Sequence, residues 1–300
     1  MRRRPRSRRN GSDPESPSSK FASRQRAYEI GAGIGGPARY FARHHGCRVT
    51  GIDLTEEFVA VARALTARLG MGDQVRFEQG SALNMPFAAA SFDVATLLHV
   101  GMNIADKARL FSEVRRVLKP GARFGIYDQM REAAGDLAFP VPWATGPETS
   151  FVETAATYKE LLVRDGFEIV WERSYRDDAL ASFNRQTQAQ PGSGAPPPLG
   201  GHVTMGARAA EKVANHRSNT ERGLLAPNAI VAPGAQHVLT VGRGGTPDVR
   251  PIAARPPRSS PPPRSTGYAS VQSLTASSNP RTRLGYEYEP LRRSSSSARP

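Results

Sequence analysis

The sequence is short of cysteine and of long apolar runs. Its one cysteine, Cys47, excludes an intrachain disulfide and is typical of a reducing compartment. No segment approaches the roughly 20 apolar residues of a membrane span, and the arginine-rich start contains no apolar core of a secretory signal. No spacing of cysteine, histidine and carboxylate residues is typical of a metal site. We therefore expect a cytoplasmic protein without a membrane span or a bound metal.

The strong positive charge lies at the two ends of the chain. The formal net charge is +14, and residues 1–26 and 234–300 carry +7 each. The segment between them holds 22 basic and 22 acidic side chains. This balance argues against a nucleic-acid-binding face on the middle segment and leaves nucleic acid as a hypothesis about the tails only.

Both ends are rich in arginine, serine and proline and poor in apolar residues. Such segments cannot bury enough surface to offset the entropy lost on ordering. We therefore predict a disordered basic tail at 1–26, one folded domain at 27–233 and a disordered tail at 234–300.

Within the folded segment, apolar runs with strand and helix periodicity alternate, which is the βαβ pattern of a mainly parallel sheet. The prediction is an α/β fold with a doubly wound, seven-stranded sheet and a helical insertion before the last strand. The predicted strands are 27–30, 47–53, 74–79, 91–100, 123–128, 167–173 and 228–231. The predicted helices are 37–45, 58–69, 110–118 and 207–222, with a further helix near Asp177.

A glycine-rich turn follows the first predicted strand. Gly31, Gly33 and Gly35 provide a sharp turn and allow the backbone to approach a ligand, which residues with a Cβ would hinder. Asp53 ends the second strand, where a carboxylate can accept hydrogen bonds from the hydroxyls of a ribose. The pair indicates an adenosine-containing ligand. Gly31, Gly33 and Gly36 also satisfy the dinucleotide-binding spacing, so this loop does not choose the cofactor.

Five motifs, taken in order along the chain, do indicate the cofactor. These are EIGAGIG at 29–35, GIDL at 51–54, FEQGSALNMPF at 77–87, SFDVATLLHV at 91–100 and RRVLKPGARF at 115–124. In this order and spacing the chain resembles the class I S-adenosylmethionine-dependent methyltransferases over residues 27–233. It is most similar to the small-molecule members that act in quinone and tocopherol synthesis or on sarcosine and dimethylglycine.

The resemblance implies a set of cofactor contacts. The methionine end of S-adenosylmethionine would meet Glu29 and the backbone of the glycine loop. The ribose would meet Asp53, and the end of the fourth strand around Leu98 would face the methyl group and the acceptor. The remaining positions implied to contact the cofactor are Leu54, Ser81, Ala82 and Leu83, of which the last three line the adenine.

Two residues are candidates for acceptor-side chemistry. His99 lies at the carboxyl end of the fourth strand, where open α/β sheets bind ligands, and an ordinary imidazole pKa of about 6.5 suits proton removal from an amine or hydroxyl. Asp128, at the end of the fifth strand, is the second candidate. For each residue a structural role remains an open alternative.

Three other functions remain open. Ser81 stands where the relatives usually have aspartate, and an Arg/Ser/Pro segment replaces their first helix, so a degenerate, noncatalytic cofactor-binding protein is one alternative. The glycine spacing with Asp53 permits an NAD-dependent dehydrogenase. A nucleic-acid methyltransferase recruited by the tails is the third, although the chain lacks the motifs of that class.

Overall fold

The fold comes from a computed structural model of the chain. The structure describes residues 25–188, 205–206 and 208–235, together with the backbone of two short strands further on. In chain order, the first half contains β1 (Arg26–Ile30), α1 (Gly36–His45), β2 (Arg48–Asp53), α2 (Glu56–Arg68), β3 (Val75–Gln79), β4 (Phe92–Leu98), α3 (Lys107–Val117) and β5 (Leu118–Arg131). The second half contains α4 (Ala155–Arg164), β6 (Trp171–Ser174), α5 (Arg176–Gln188), α6 (Ala209–Glu221), β7 (Leu225–Pro233), β8 (His237–Thr240) and β9 (Asp248–Pro251).

Seven strands form one mixed sheet in the order β3-β2-β1-β4-β5-β7-β6. The first five run parallel, and β7 lies antiparallel to both β5 and β6. The strand order reverses between β1 and β4, and at such a switch point the loops at the carboxyl ends of the strands separate and leave a crevice for a ligand. The predicted fold class is therefore confirmed.

The sheet is covered on both faces. A large cluster around Tyr28, Leu97 and Phe124 packs α3 and α4 against one face, and a smaller cluster around Val49 and Ala62 packs α1 and α2 against the other. Because β4 lies in the middle, its sequence is a nearly continuous apolar run rather than an alternating one. Both faces thus hold the central strands rigidly beneath the crevice.

The structure differs from the prediction along β5. The prediction ended a helix at Lys119–Pro120–Gly121 and began the strand at Arg123, whereas the strand begins at Leu118 and runs to Arg131. Gly121 has a φ of 71° inside this strand, and the register with β4 shifts between Phe92 and Val94. A turn-forming sequence is therefore used as an irregularity within the strand.

Two other differences concern the second half. Sequence periodicity missed α4, although Thr154 is a regular N-cap whose hydroxyl accepts a hydrogen bond from the Thr157 amide. The sixth strand begins at Trp171, since Phe167 makes only an isolated bridge with Gly234. All four residues of this edge strand are exposed, so no buried face sets its register.

The tail predictions mostly lie outside the described residues. Within these predicted tails, Arg26 belongs to β1, Gly234 makes a bridge with Phe167, and β8 pairs with β9 in a two-stranded antiparallel sheet. The expectation of a C-terminal tail without regular structure therefore differs from the structure at these two strands. None of the described helices is long and apolar enough to cross a membrane.

Candidate cofactor and acceptor site

The glycine loop joins β1 to α1 in three left-handed steps. Gly31, Gly33 and Gly35 have φ values of 67°, 52° and 78°, a region that residues with a Cβ rarely adopt. A Cβ at Gly31 would overlap Val100, and one at Gly35 would overlap Phe77. A Cβ at Gly33 would have no described atom within 4 Å. The first and third glycines therefore serve packing, and the middle one opens onto free space.

Glu29 lies at the end of β1 and is only 2% exposed. Its Oε2 has no hydrogen-bond partner among the described residues. Burial raises the pKa of this carboxyl to about 8, although the Ala38 amide and the Arg39 guanidinium act in the opposite direction. A buried acceptor without a partner costs about 1 to 3 kcal/mol, so this carboxyl is poised for a donor that a ligand supplies.

Asp53 connects the end of β2 to the glycine loop. One carboxylate oxygen accepts a 2.7 Å hydrogen bond from the Gly33 amide, and the other accepts a 3.0 Å bond from the Thr55 amide. A carboxylate has about four lone-pair sites, so two of them remain for further donors. The next residue, Leu54, is 69% exposed beside this carboxylate. The local geometry thus offers one polar and one apolar contact to a ligand at the loop.

The segment after β3 forms a tight turn. The Ser81 hydroxyl accepts a 3.1 Å hydrogen bond from the Leu83 amide, and the Asn84 amide donates to the Ser81 carbonyl at 3.2 Å. Ala82 and Leu83 are half-buried against the larger core cluster. The predicted adenine-lining residues are therefore held by a turn in which the serine oxygen already has one donor.

At the end of β4, Leu98 is half-buried and His99 leaves the strand with a φ of 57°. This conformation is uncommon for a residue other than glycine and is enriched at functional sites. The His99 amide donates to the Tyr127 carbonyl at 2.7 Å, and its ring meets the Tyr127 ring edge-on at 4.8 Å. Burial lowers the His99 pKa to about 4, so the imidazole is neutral at physiological pH. Val100, which follows, packs on Gly31 and joins this segment to the glycine loop.

Asp128 has no exposed surface. Its carboxylate accepts a 2.7 Å hydrogen bond from the Tyr158 hydroxyl and a 3.0 Å bond from the Gln129 amide, and it lies directly beneath Gly101. Burial raises the pKa of Asp128 to about 7, although the hydrogen bond from Tyr158 acts to lower it. These contacts engage the Asp128 carboxylate with a buried core residue and favour the structural alternative over a catalytic role.

The sequence-based reasoning missed His216 on α6. Its ring meets Trp143 and Phe183 edge-on, each at 5.3 Å, and a charge on His99 would lower its pKa further. The sequence around His216 is that of an ordinary polar helix, so no local motif could have found it. Among the described residues, no group of three or more histidine, cysteine or carboxylate side chains could hold a metal ion.

Comparison with known proteins gives the fold a family context. Residues 28–126 match the model of a methyltransferase domain. The chain is 40% identical over 104 residues to Methyltransferase phqN of Penicillium fellutanum, which is 35% of this chain and 32% of that protein. It is 30% identical over 159 residues to the sterol 24-C-methyltransferase of Eremothecium gossypii, covering 50% of this chain and 42% of that one. The matched segments therefore span less than half of these relatives.

Solved structures share the fold at low identity. A phosphoethanolamine N-methyltransferase 2 of Haemonchus contortus in complex with S-adenosyl-L-methionine superposes with a TM-score of 0.59 at 20% identity, covering 72% of this chain and 50% of that chain. The [4+2]-cyclase SpnF superposes with a TM-score of 0.55 at 22% identity, covering 71% of this chain and 76% of that chain. A fold whose neighbours carry different activities cannot by itself assign the reaction.

Proposed function

Because residues 28–126 match a methyltransferase domain, we propose that the chain binds S-adenosylmethionine and transfers its methyl group to a small-molecule acceptor. The observation that carries this proposal is the buried carboxyl of Glu29, whose oxygen lacks a partner among the described residues, beside the open space at Gly33. An ammonium group is a strong donor for such an oxygen. The fit is therefore to the amino-acid end of the cofactor, which a nicotinamide dinucleotide does not have.

The other residues fit the rest of the molecule. The remaining lone pairs of Asp53 suit the two ribose hydroxyls, and the exposed Leu54 side chain suits one face of the adenine. Ser81, Ala82 and Leu83 would meet its edge. The comparisons support this interpretation, since several structural neighbours were solved in complex with S-adenosylmethionine or S-adenosylhomocysteine.

When bound, the cofactor supplies an electrophilic methyl group on a positively charged sulfur. The protein has to hold the nucleophile in line with it, and orientation of this kind can contribute about 7 to 11 kcal/mol. Val100 packs against Gly31 of the glycine loop, which supports a position of the adjacent His99 on the acceptor side of the crevice. A neutral His99 can accept a hydrogen bond from an amine or hydroxyl of the acceptor. The acceptor atom is thus proposed to be nitrogen, oxygen or an activated ring carbon.

The named relatives act on different acceptors, so they support only the general class of small molecules. We also propose a cytoplasmic location, for which the single, buried thiol of Cys47 is the support. The balanced charge of residues 27–233 does not favour nucleic acid as the partner of the folded domain.

Replacing Asp53 tests the ribose contact. We expect Asp53→Ala to weaken binding of S-adenosylhomocysteine by about 1 to 3 kcal/mol, because the ribose hydroxyls and the Gly33 amide lose their acceptor. The measurement is calorimetric titration of both proteins. The control ligand is the 2′-deoxy analogue of S-adenosylhomocysteine. The native protein should bind this analogue more weakly than S-adenosylhomocysteine itself. Asp53→Ala should bind the analogue no more weakly than S-adenosylhomocysteine. Unchanged affinity of Asp53→Ala would show that the ribose lies elsewhere.

A noncatalytic binding protein is the second candidate, because the Ser81 hydroxyl already accepts from Leu83 and gives adenine a weaker acceptor than a carboxylate. We expect Ser81→Asp to strengthen binding of S-adenosylhomocysteine by about 0.5 to 1.5 kcal/mol through a hydrogen bond to the adenine amino group. The gain should vanish with S-inosylhomocysteine, which lacks that group. A similar gain for both ligands would place the adenine edge away from Ser81. Detection of a methylated product by mass spectrometry would remove the noncatalytic candidate.

A further inference from the structure

The imidazole of His216 on α6 packs against an aromatic wall formed by Trp143 and Phe183. His216 is held between the rings of Trp143 and Phe183, with interplanar angles of 85° and 89°. Its Nε2 is buried and has no hydrogen-bond partner in the part of the chain that the structure describes. A buried polar atom normally meets a partner, so this nitrogen is open to a donor or acceptor that a ligand supplies.

The position of this imidazole is fixed by α6. The Asn219 side chain exchanges hydrogen bonds with the Ala138 amide and carbonyl at 2.8 and 2.9 Å, and the Asn215 amide donates to the Pro140 carbonyl at 3.1 Å. Arg176 of α5 donates to the carbonyls of Thr220 and Glu221 at the end of the helix. The helix is therefore tied to both segments that supply the aromatic wall, and His216 keeps its place between them.

The imidazole lies on the acceptor side. His99 and His216 interact electrostatically, and His99 adjoins Val100, which packs against Gly31 of the proposed cofactor loop. The Tyr127 ring packs edge-on against His99 and, at 5.5 Å, against Tyr175. Two imidazoles and several aromatic rings thus line the region beyond the end of β4.

The wall offers hydrogen bonds and apolar surface but little charge. Burial keeps both imidazoles neutral at physiological pH, because it lowers the pKa of each to about 4. The two cations nearest on α6 are directed elsewhere, since Lys212 donates to the Met205 carbonyl and Arg217 pairs with Glu221. The Trp143 indole N–H also has a partner, the Ser150 hydroxyl at 3.0 Å. Arg173 lies 4.4 Å over the Tyr175 ring, and its guanidinium pairs with Asp178, so the cations named near these rings already have partners.

We propose that His216 Nε2 hydrogen-bonds the methyl acceptor, and that the acceptor is a neutral, mainly apolar molecule with a hydroxyl or amine group that reaches this nitrogen. The proposal rests on the function proposed above, because it assigns the second substrate of the same site. The rings of Trp143 and Phe183 hold the apolar body of the acceptor, and His216 orients its polar group.

The test uses the fluorescence of Trp143 in the full-length chain. The chain has two tryptophans, and Trp171→Phe on the exposed edge strand leaves Trp143 as the reporter. The probes are 4-butylphenol and 4-butylanisole. In the anisole, a methyl group replaces the hydroxyl hydrogen of the phenol. In this background we compare the His216 protein with His216→Phe, which keeps an aromatic ring, and with His216→Gln, whose amide can occupy the position of Nε2.

We expect the His216 protein to bind the phenol about tenfold more tightly than the anisole, since the ether cannot donate a hydrogen bond. His216→Phe should bind the two probes equally, and His216→Gln should recover most of the preference. The same preference in His216→Phe, or no response of Trp143 to either probe in folded protein, would overturn the proposal.

Calorimetry with S-adenosylhomocysteine on the same samples separates this proposal from the function it rests on. Binding of S-adenosylhomocysteine without a preference for the phenol would support the cofactor site and contradict the role of His216. A phenol preference that depends on His216, without binding of S-adenosylhomocysteine, would support the acceptor pocket and remove methyl transfer.

Discussion

Gly33→Ala is expected to weaken binding of S-adenosylhomocysteine by about 1 to 3 kcal/mol while the protein stays folded. The left-handed backbone at Gly33 costs an alanine about 1 to 2 kcal/mol, but its Cβ would meet no described atom of the protein. The methyl group would instead fill the space beside Glu29 and Asp53 that the cofactor is proposed to occupy. A selective loss of binding follows, measured by calorimetric titration.

Gly70 provides the matched control. It has a φ of 65°, a Cβ added there would also have no described atom within 4 Å, and it lies after α2 away from the glycine loop. Gly70→Ala should therefore lose similar stability and bind S-adenosylhomocysteine as the native protein does. Equal affinities of the two variants would show that the space at Gly33 is not part of the cofactor site.

Glu29→Gln is expected to remove a pH dependence of cofactor binding. The pKa of the Glu29 carboxyl is about 8 in the free protein because of burial, and an ammonium group at its unpartnered oxygen would lower that pKa. Binding below pH 8 therefore releases a proton, so the native affinity for S-adenosylhomocysteine should rise with pH by up to about tenfold per unit between about pH 6 and 8. The glutamine variant should bind weakly, with an affinity that stays flat over this window.

The stability of the free protein gives a second, independent readout of Glu29. Because its folded-state pKa lies above the ordinary 4.5, its contribution is fully present below that value and is lost as pH rises towards 8. Thermal unfolding without ligand should show Glu29→Gln gaining stability relative to the native protein over this range. A parallel pH dependence of both proteins, in binding and in unfolding, would contradict a buried, titrating Glu29.

The parts of the fold that the sequence predicts best are those in which one local cause determines the structure. The left-handed steps at Gly31 and Gly33 follow from glycine itself, and the strand β4 follows from a long apolar run flanked by polar residues. Asp53 could be placed beside the loop because parallel strands bring their carboxyl ends to the same edge. Five motifs in order then linked these elements to one cofactor class.

Other features depend on tertiary contacts that no local pattern encodes. His99 looks like a strand residue in sequence, yet its left-handed conformation is held by the Tyr127 carbonyl on the neighbouring strand. His216 acquires its environment from Trp143 and Phe183, which lie 73 and 33 residues away in the chain. Asp128 was an acid at a strand end in the sequence, and only its burial and its hydrogen bond with Tyr158 favour a structural role.

We propose that the crevice between β1 and β4 binds S-adenosylmethionine. The most direct measurement is calorimetric titration of the full-length protein with S-adenosylhomocysteine and, separately, with NAD. We predict saturable binding of S-adenosylhomocysteine at one site per chain and no binding of NAD. Binding of NAD without S-adenosylhomocysteine, or binding of neither by protein shown to be folded, would contradict this account.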